Sequence, residues 1–309
     1  MKIYMAPMEG VTDFTFRNTF AKYYGGVDKY FTPFISPRST ESFTSKELRE
    51  LSPENNAGKC VVPQYLTCVP EHFIWAMKDA LKAGYNEVNL NLGCPSGTVT
   101  SKKKGSGFLL YPEELECFFE KVFSCETAGK MKISVKTRIG FHDPEEFGPI
   151  LDIYNKFPLS ELIIHPRVRD DMYDKPVRRE YFEKALHQAK MPLVYNGDIK
   201  SAGDIKEVTG KYTGLSAIML GRGLVAKPWL AENGVPDVNT FKAFHDELFA
   251  QYKSRLSGPA PIMAKYKEFW YYFMQDFVYG ERYGKEFKKA KTVSETEAVI
   301  GRIMAGGMK

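Results

Sequence analysis

Eight short β-rich runs recur along this chain, and stretches with helical patterning separate most of them. They are Ile3–Met8, Lys29–Ile35, Val61–Leu66, Glu87–Gly93, Ile133–Ile139, Glu161–Arg167, Pro192–Asp198 and Ala217–Arg222. The intervening segments carry apolar residues at helical spacing. Examples are Phe73, Ile74, Met77 and Leu81 in Pro70–Ala83, and Leu115, Phe118, Phe119 and Val122 in Pro112–Thr127. The runs themselves are almost continuously apolar until their ends, the pattern of parallel strands buried on both faces and crossed by helices. Eight β/α units within about 230 residues fit a closed (β/α)8 barrel better than an open doubly wound sheet, and no Gly-x-Gly-x-x-Gly turn follows the first run. The expected fold is therefore an α/β TIM barrel over residues 1–233.

After Pro228 and Trp229 the period changes, and Gly234, Pro236 and Asp237 read as a boundary. Leu248, Tyr252, Leu256, Ile262, Tyr266, Phe269, Trp270, Phe273 and Phe277 then suggest a small helical bundle over 237–309. This tail holds 12 Lys/Arg against 9 Asp/Glu, part of a net charge of +5, a mild bias toward a polyanion. No apolar run approaches the roughly 18 residues of a membrane span. The apolar start, Ile3 to Ala6, soon meets Pro7, Glu9 and Asp13, so no signal peptide is expected and the cytoplasm is the expected location.

In a barrel the strand ends converge on one face, where active sites sit. Here those ends supply Glu9-Gly10, Gln64, Asn89, Asn91, Cys94, Lys136, Arg138, His165, Arg167, Asn196, Asp198 and Gly221-Arg222-Gly223. The last two turns suit a phosphate, with close backbone approach and an arginine to neutralise charge; either alone would simply allow a tight turn. Lys136 interrupts an apolar strand, and Arg138 follows on the same face; His165 and Arg167 repeat that arrangement. The five cysteines include no Cys-x-x-Cys pair, which argues against both a disulfide framework and a metal site. Cys60, Cys68, Cys117 and Cys125 read as small buried hydrophobes. Cys94 differs by location: at a strand end beside a Gly/Ser/Lys-rich loop, a thiol can serve as nucleophile or as general acid.

A family resemblance rests on these residues taken together. Ala6-Pro7-Met8-Glu9-Gly10-Val11-Thr12-Asp13, Asn89-Leu90-Asn91-Leu92-Gly93-Cys94-Pro95, Lys102–Phe108, Lys136-Thr137-Arg138, His165-Pro166-Arg167, Tyr195-Asn196-Gly197-Asp198 and Gly221-Arg222-Gly223 resemble, in order, the tRNA-dihydrouridine synthases. The resemblance implies reduction of the uridine C5–C6 double bond in tRNA, with FMN as cofactor and NADPH as reductant. It makes Cys94 the acid that protonates C5. Asn91 corresponds to a residue that holds the flipped uracil, with Arg138 and His165 near base and flavin. Gln64 and Lys136 correspond to contacts to the flavin ring, against which Pro7 and Met8 pack. Asn196, Asp198, Gly221 and Arg222 fall where the ribityl phosphate is held. Lys103 and Lys104, in the loop after the acid, become candidate RNA phosphate contacts, as do Lys285, Lys288, Lys289 and Lys291 in a tail expected to bind RNA. A monomer is expected.

The chain departs from the family pattern at Ser106, where alanine is usual, and in an acidic segment after His165 that lacks a glycine following Tyr173. Two competing readings remain. One is a flavin barrel acting on a free pyrimidine, a dihydroorotate-like small molecule or another RNA, or an ene-reductase; the other is an RNA-binding barrel without catalysis. The basic tail and lysine loop disfavour a small substrate, and the retained set Gln64, Asn91, Cys94, Lys136, His165 and Arg222 disfavours a dead enzyme.

Overall fold

Each apolar run becomes a strand because both of its faces find cover, the barrel interior on one side and helices on the other. The computed structural model describes residues 1–309. Its strands are β1 (Lys2–Met5), β2 (Lys29–Phe31), β3 (Val61–Val62), β4 (Gln64–Tyr65), β5 (Glu87–Leu92), β6 (Lys132–Arg138), β7 (Glu161–His165), β8 (Leu193–Asn196) and β9 (Ala217–Leu220). All pair in parallel, in the order β3-β2-β1-β9-β8-β7-β6-β5-β4. Only Pro63 separates the two ends of that order. Proline lacks an N–H and interrupts the ladder, yet its carbonyl still accepts from the Asn89 amide at 2.9 Å. β3 and β4 therefore form one broken stave, and the sheet is a TIM barrel.

Side-chain alternation divides β5 cleanly. Val88, Leu90 and Leu92 join the large apolar core under the helices, while Asn89 and Asn91 face the other way. The barrel interior is consequently of two kinds. Tyr4, Ala6, Phe31, Val62, Ile163, Val194, Ala217 and Met219 pack as a separate apolar cluster. Gln64, Asn89, Asn91, Ser134 and Lys136, on the adjoining staves, are polar.

The helices follow the sequence pattern closely. Pro70–Lys82 and Pro112–Ser124 each start on a proline, which needs no partner for its missing N–H at a helix start. Ser201 caps Ala202–Lys211 in a reciprocal box with Asp204. Cys60 and Cys117 depart from expectation in being exposed, and Cys68 and Cys125 are only half-buried. Cys117 lies on the outer face of its helix, between buried Leu115 and buried Phe118, so its neighbours take the core positions.

Beyond Glu232 the chain turns through Asn233, which adopts a left-handed conformation, and Asp237 caps the helix Val238–Arg255. Helices Pro259–Phe273, Gly280–Lys289 and Val293–Met304 complete the tail. It docks on the first β/α unit. Phe16 stacks on Phe269 with ring centres 5.4 Å apart, and Tyr24 meets Phe244 edge-on at 5.4 Å. Asp13 caps the helix Phe14–Tyr23 and also accepts from Tyr252 at 2.7 Å and Arg255 at 2.6 Å. One apolar cluster runs unbroken from the barrel helices into the tail. No helix is long and apolar enough to cross a membrane.

Candidate active site

The strand ends open into a cleft of about 1010 Å³. Pro7, Met8, Asn91, Cys94, Lys136, His165, Asn196, Asp198, Gly221 and Arg222 all line it, so residues from six staves meet at one place. Glu9, Lys200, Tyr173 and the tail residues Lys267, Glu268, Tyr271 and Tyr272 complete the wall.

The Cys94 turn is held from three directions. Asn91 Oδ1 accepts from the backbone amides of Gly93 at 3.0 Å and Cys94 at 2.9 Å. The Cys94 carbonyl accepts from Ser106 twice, from the hydroxyl at 2.8 Å and the amide at 3.1 Å. Ser106, which stands where the family pattern has alanine, thus adds a bond to the turn. Gly105 sits directly behind, at φ +58°, where a Cβ would lie 2.8 Å from the Cys94 carbonyl oxygen. Finally, Arg138 Nε donates to the Gly93 carbonyl at 3.0 Å.

Burial pushes the Cys94 thiol above its ordinary pKa, with the Glu9 carboxylate adding to the shift and Arg138 and Lys136 opposing it. At neutral pH the sulfur therefore keeps its proton. A nucleophile or metal ligand would need the thiolate, so the environment favours the acid over the nucleophile.

Lys136 points its ammonium into the cleft with no carboxylate to pair with. Burial, reinforced by Arg138, lowers its pKa from 10.5 to about 8. His165 is buried, and desolvation together with the neighbouring cations Arg138, Lys136, Arg167 and Arg222 lowers its pKa well below the ordinary value. It is neutral. Arg167 Nη1 lies 2.9 Å from His165 Nε2. A guanidinium can only donate, so Nε2 accepts and the imidazole proton sits on Nδ1. Asp198 in turn holds Arg167 at 2.5 Å and Arg222 at 3.4 Å. Gly197, at φ +141°, allows the close passage, since a Cβ there would stand 3.0 Å from His165 Cδ2.

Other expected residues lie elsewhere. Gln64 is fully buried below the cleft floor, bonded to Asn89 and Asn91. Arg138 is also fully buried, and its guanidinium donates to the carbonyls of Gly93, Val168 and Met172 rather than facing the cleft. Lys103 and Lys104 are outside the cleft lining; Lys103 pairs with Glu114 at 2.8 Å and sits over the Tyr111 ring. Sequence reasoning missed Tyr173 as a wall residue. It stacks near His165, with Arg222 4.7 Å and Arg138 5.2 Å from its ring centre. Nothing local marks that position, because the loop is folded over by Arg138 from a different strand. In the tail, Phe269, Trp270 and Phe273 form the core while Tyr271 is 65% exposed and turned toward the cleft. Helical spacing alone, Lys267 to Tyr271, would have put those two residues on one face.

A site of polar, cationic and thiol groups at the carboxyl ends of parallel barrel strands defines a TIM-barrel enzyme. A sequence model of the family described as "Dihydrouridine synthase (Dus)" matches residues 4–296. The chain belongs to that family and is a flavin oxidoreductase. Similar chains include the tRNA-dihydrouridine synthase B of Pasteurella multocida, 31% identical over 74% of this chain and 67% of its own length. A probable tRNA-dihydrouridine synthase of Staphylococcus epidermidis is 32% identical over 74% and 70%. Among solved structures, a morphinone reductase variant in complex with tetrahydroNAD aligns with a TM-score of 0.54 at 12% identity, covering 78% of this chain and 90% of that one. The old yellow enzyme homologue of Zymomonas mobilis aligns at 0.50 and 14%, covering 74% and 86%. At such identities the likeness concerns the barrel alone.

Proposed function

We propose that this enzyme reduces the C5–C6 double bond of uridines in tRNA to dihydrouridine, with FMN as the bound flavin, NADPH as reductant and Cys94 as the general acid. The observation that carries this reading is the place of Cys94, its turn clamped by Asn91, Ser106 and Arg138 on the wall of a cleft that also holds the unpaired cation Lys136, with burial keeping the thiol's pKa up. The cleft suits a flavin phosphate: Arg222 and the small residues Gly221 and Gly197 border it, and Asn196 is anchored to the Met219 carbonyl at 2.8 Å. When bound, FMN supplies the hydride that reaches uracil C6.

The chain's own groups do the rest. Addition at C6 builds negative charge on the uracil, and Cys94 gives its S–H proton to C5, leaving a thiolate that water reprotonates. Lys136, unpaired with any carboxylate, and neutral His165 line the same cleft and stabilise developing negative charge there. A stacked uridine cannot reach such a cleft, so the base must leave its stack; Tyr173 and the exposed Tyr271 offer aromatic faces at the rim. Residues 1–233 would hold the catalytic barrel and 237–309 an RNA-docking unit, in keeping with the wall residues Lys267 and Tyr271.

Mass spectrometry of a tRNA transcript treated with FMN-loaded protein and NADPH tests the reading. Cys94→Ala is expected to keep FMN and RNA binding, keep NADPH oxidation by oxygen, and lose most dihydrouridine. An unchanged dihydrouridine yield would remove Cys94 as the acid. Turnover of free uracil or dihydroorotate, with tRNA left unmodified, would overturn the RNA substrate.

A further inference from the structure

A continuous line of side-chain hydrogen bonds climbs through the polar half of the barrel and ends on the Cys94 turn. At the top, Asn91 Oδ1 accepts from the Gly93 and Cys94 amides. Asn91 Nδ2 donates to Gln64 Oε1 at 2.8 Å, and Gln64 Nε2 donates to Asn89 Oδ1 at 2.8 Å. Asn89 Nδ2 donates to Ser134 Oγ at 2.9 Å. Ser134 donates in turn to Glu87 Oε1 at 3.0 Å, at the closed end of the barrel. There Lys29 bridges Glu87 at 2.9 Å and Glu161 at 2.8 Å, and Tyr4 donates to Glu161 at 2.7 Å.

The direction of this line is fixed twice over. Amide oxygen and nitrogen are interchangeable in shape, so orientation must come from partners that admit one role only. The backbone amides at the top can only donate, which forces Asn91 to present its oxygen upward. The Glu87 carboxylate at the bottom can only accept, which makes Ser134 the donor there. The lone proton of Ser134 is used there, with the Val88 carbonyl a longer second acceptor at 3.3 Å, so its oxygen receives Asn89. Both ends impose the same polarity, and no atom of the line is among the buried polar atoms left without a partner. Aligned bonds of this kind polarise one another, and reversing one amide would strand its neighbours.

From this we infer that Glu87 is a positioning residue for Cys94, acting over roughly 20 Å of strand through Ser134, Asn89, Gln64 and Asn91. Its carboxylate fixes Ser134 as the donor at the foot of the line and so reinforces the orientation in which the Asn91 oxygen grips the Cys94 turn. Gln64 and Asn89 serve as links rather than as groups that touch substrate. The effect on uridine reduction rests on the reading of Cys94 as the acid, whereas the effect on the thiol itself does not.

The test is the rate at which iodoacetamide alkylates Cys94 in the purified full chain, resolved by peptide mass spectrometry with Cys117 and Cys125 as internal references. Ser134→Ala cuts the line, and loosening the turn exposes the thiol; alkylation of Cys94 is expected to rise about threefold to tenfold, the scale of one lost hydrogen bond. Glu87→Gln keeps the shape and removes the charge, so the same change is expected, about twofold. Ser134→Thr retains the hydroxyl and should restore the parental rate. In parallel, kcat for uridine reduction should fall in Ser134→Ala with the KM for tRNA unchanged. Parental alkylation in Ser134→Ala or Glu87→Gln would overturn the inference. So would an equal rise at Cys117 and Cys125, which marks general loosening, or failure of Ser134→Thr to rescue. If Ser134→Ala does not fold, Glu87→Gln decides alone. Should Cys94→Ala still make dihydrouridine, the functional reading falls while the alkylation result stands.

Discussion

Lys136 should make the flavin-free protein less stable than it would be with an apolar residue in its place. Its ammonium sits in the cleft wall beside Arg138, without a carboxylate, and its pKa drops from 10.5 to about 8. That difference corresponds to roughly 3 kcal/mol of folding free energy, taken as an upper figure. The sign follows from proton counts. Below about 8 both folded and unfolded chains carry the proton, and the full cost of the desolvated cation is present. Between about 8 and 10.5 the unfolded chain binds a proton that the folded chain has released, so stability rises with pH. Above that window the cost is gone. Lys136→Met, close in volume to the alkyl stem, is therefore expected to gain up to roughly 3 kcal/mol at about pH 7 and much less at about pH 10. Urea unfolding of flavin-free protein at the two pH values measures both. A variant no more stable than the parent at neutral pH, or a gain that persists undiminished at high pH, would refute the burial argument. The same substitution should weaken flavin retention.

Uridine reduction should decline as pH rises through about 8, where Lys136 loses its charge, and Lys136→Arg should move that limb upward in a single-turnover pH profile. Arg138→Lys abandons most of a buried fork serving three carbonyls; it should cost about 2–4 kcal/mol in thermal unfolding and speed proteolysis near Tyr173. Gly223→Ala would set a Cβ 2.2 Å from the Ile199 carbonyl oxygen. With rigid backbone on both sides, that variant should lose both solubility and FMN binding, and retention of either would show that the turn can yield.

The barrel was legible because parallel strands need two apolar faces, and few other architectures ask for eight such runs in order. The strand ends were legible too, since Lys136 and His165 interrupt apolar runs at the ends that open into the cleft. What the sequence did not disclose is where a strand-end side chain turns once folded. Arg138 and Lys136 are two residues apart on one face, yet one lines the cleft while the other spends its donors on the carbonyls of loops that lie far apart in the chain. Gln64 lies one layer too deep to reach the cleft, a matter of stagger between staves. The break at Pro63 and the place of Tyr173 likewise depend on long-range partners that leave no local trace.

The shared Asp13 has a consequence for how RNA can be chosen. Its carboxylate caps the first barrel helix and at the same time receives Tyr252 and Arg255 from the tail, while Lys265 reaches the Gly10 carbonyl only two residues beyond Met8. A tail locked to the loop that lines the cleft cannot swing independently over a bound molecule. With the tail as the proposed RNA-docking unit, selection would work like a fixed gauge: the separation between tail surface and cleft mouth is set in advance, and an RNA would be served when its folded shape brings a uridine to that distance. On the same proposal, reseating the tail on the first β/α unit would change which RNA is served without any change to the reacting groups.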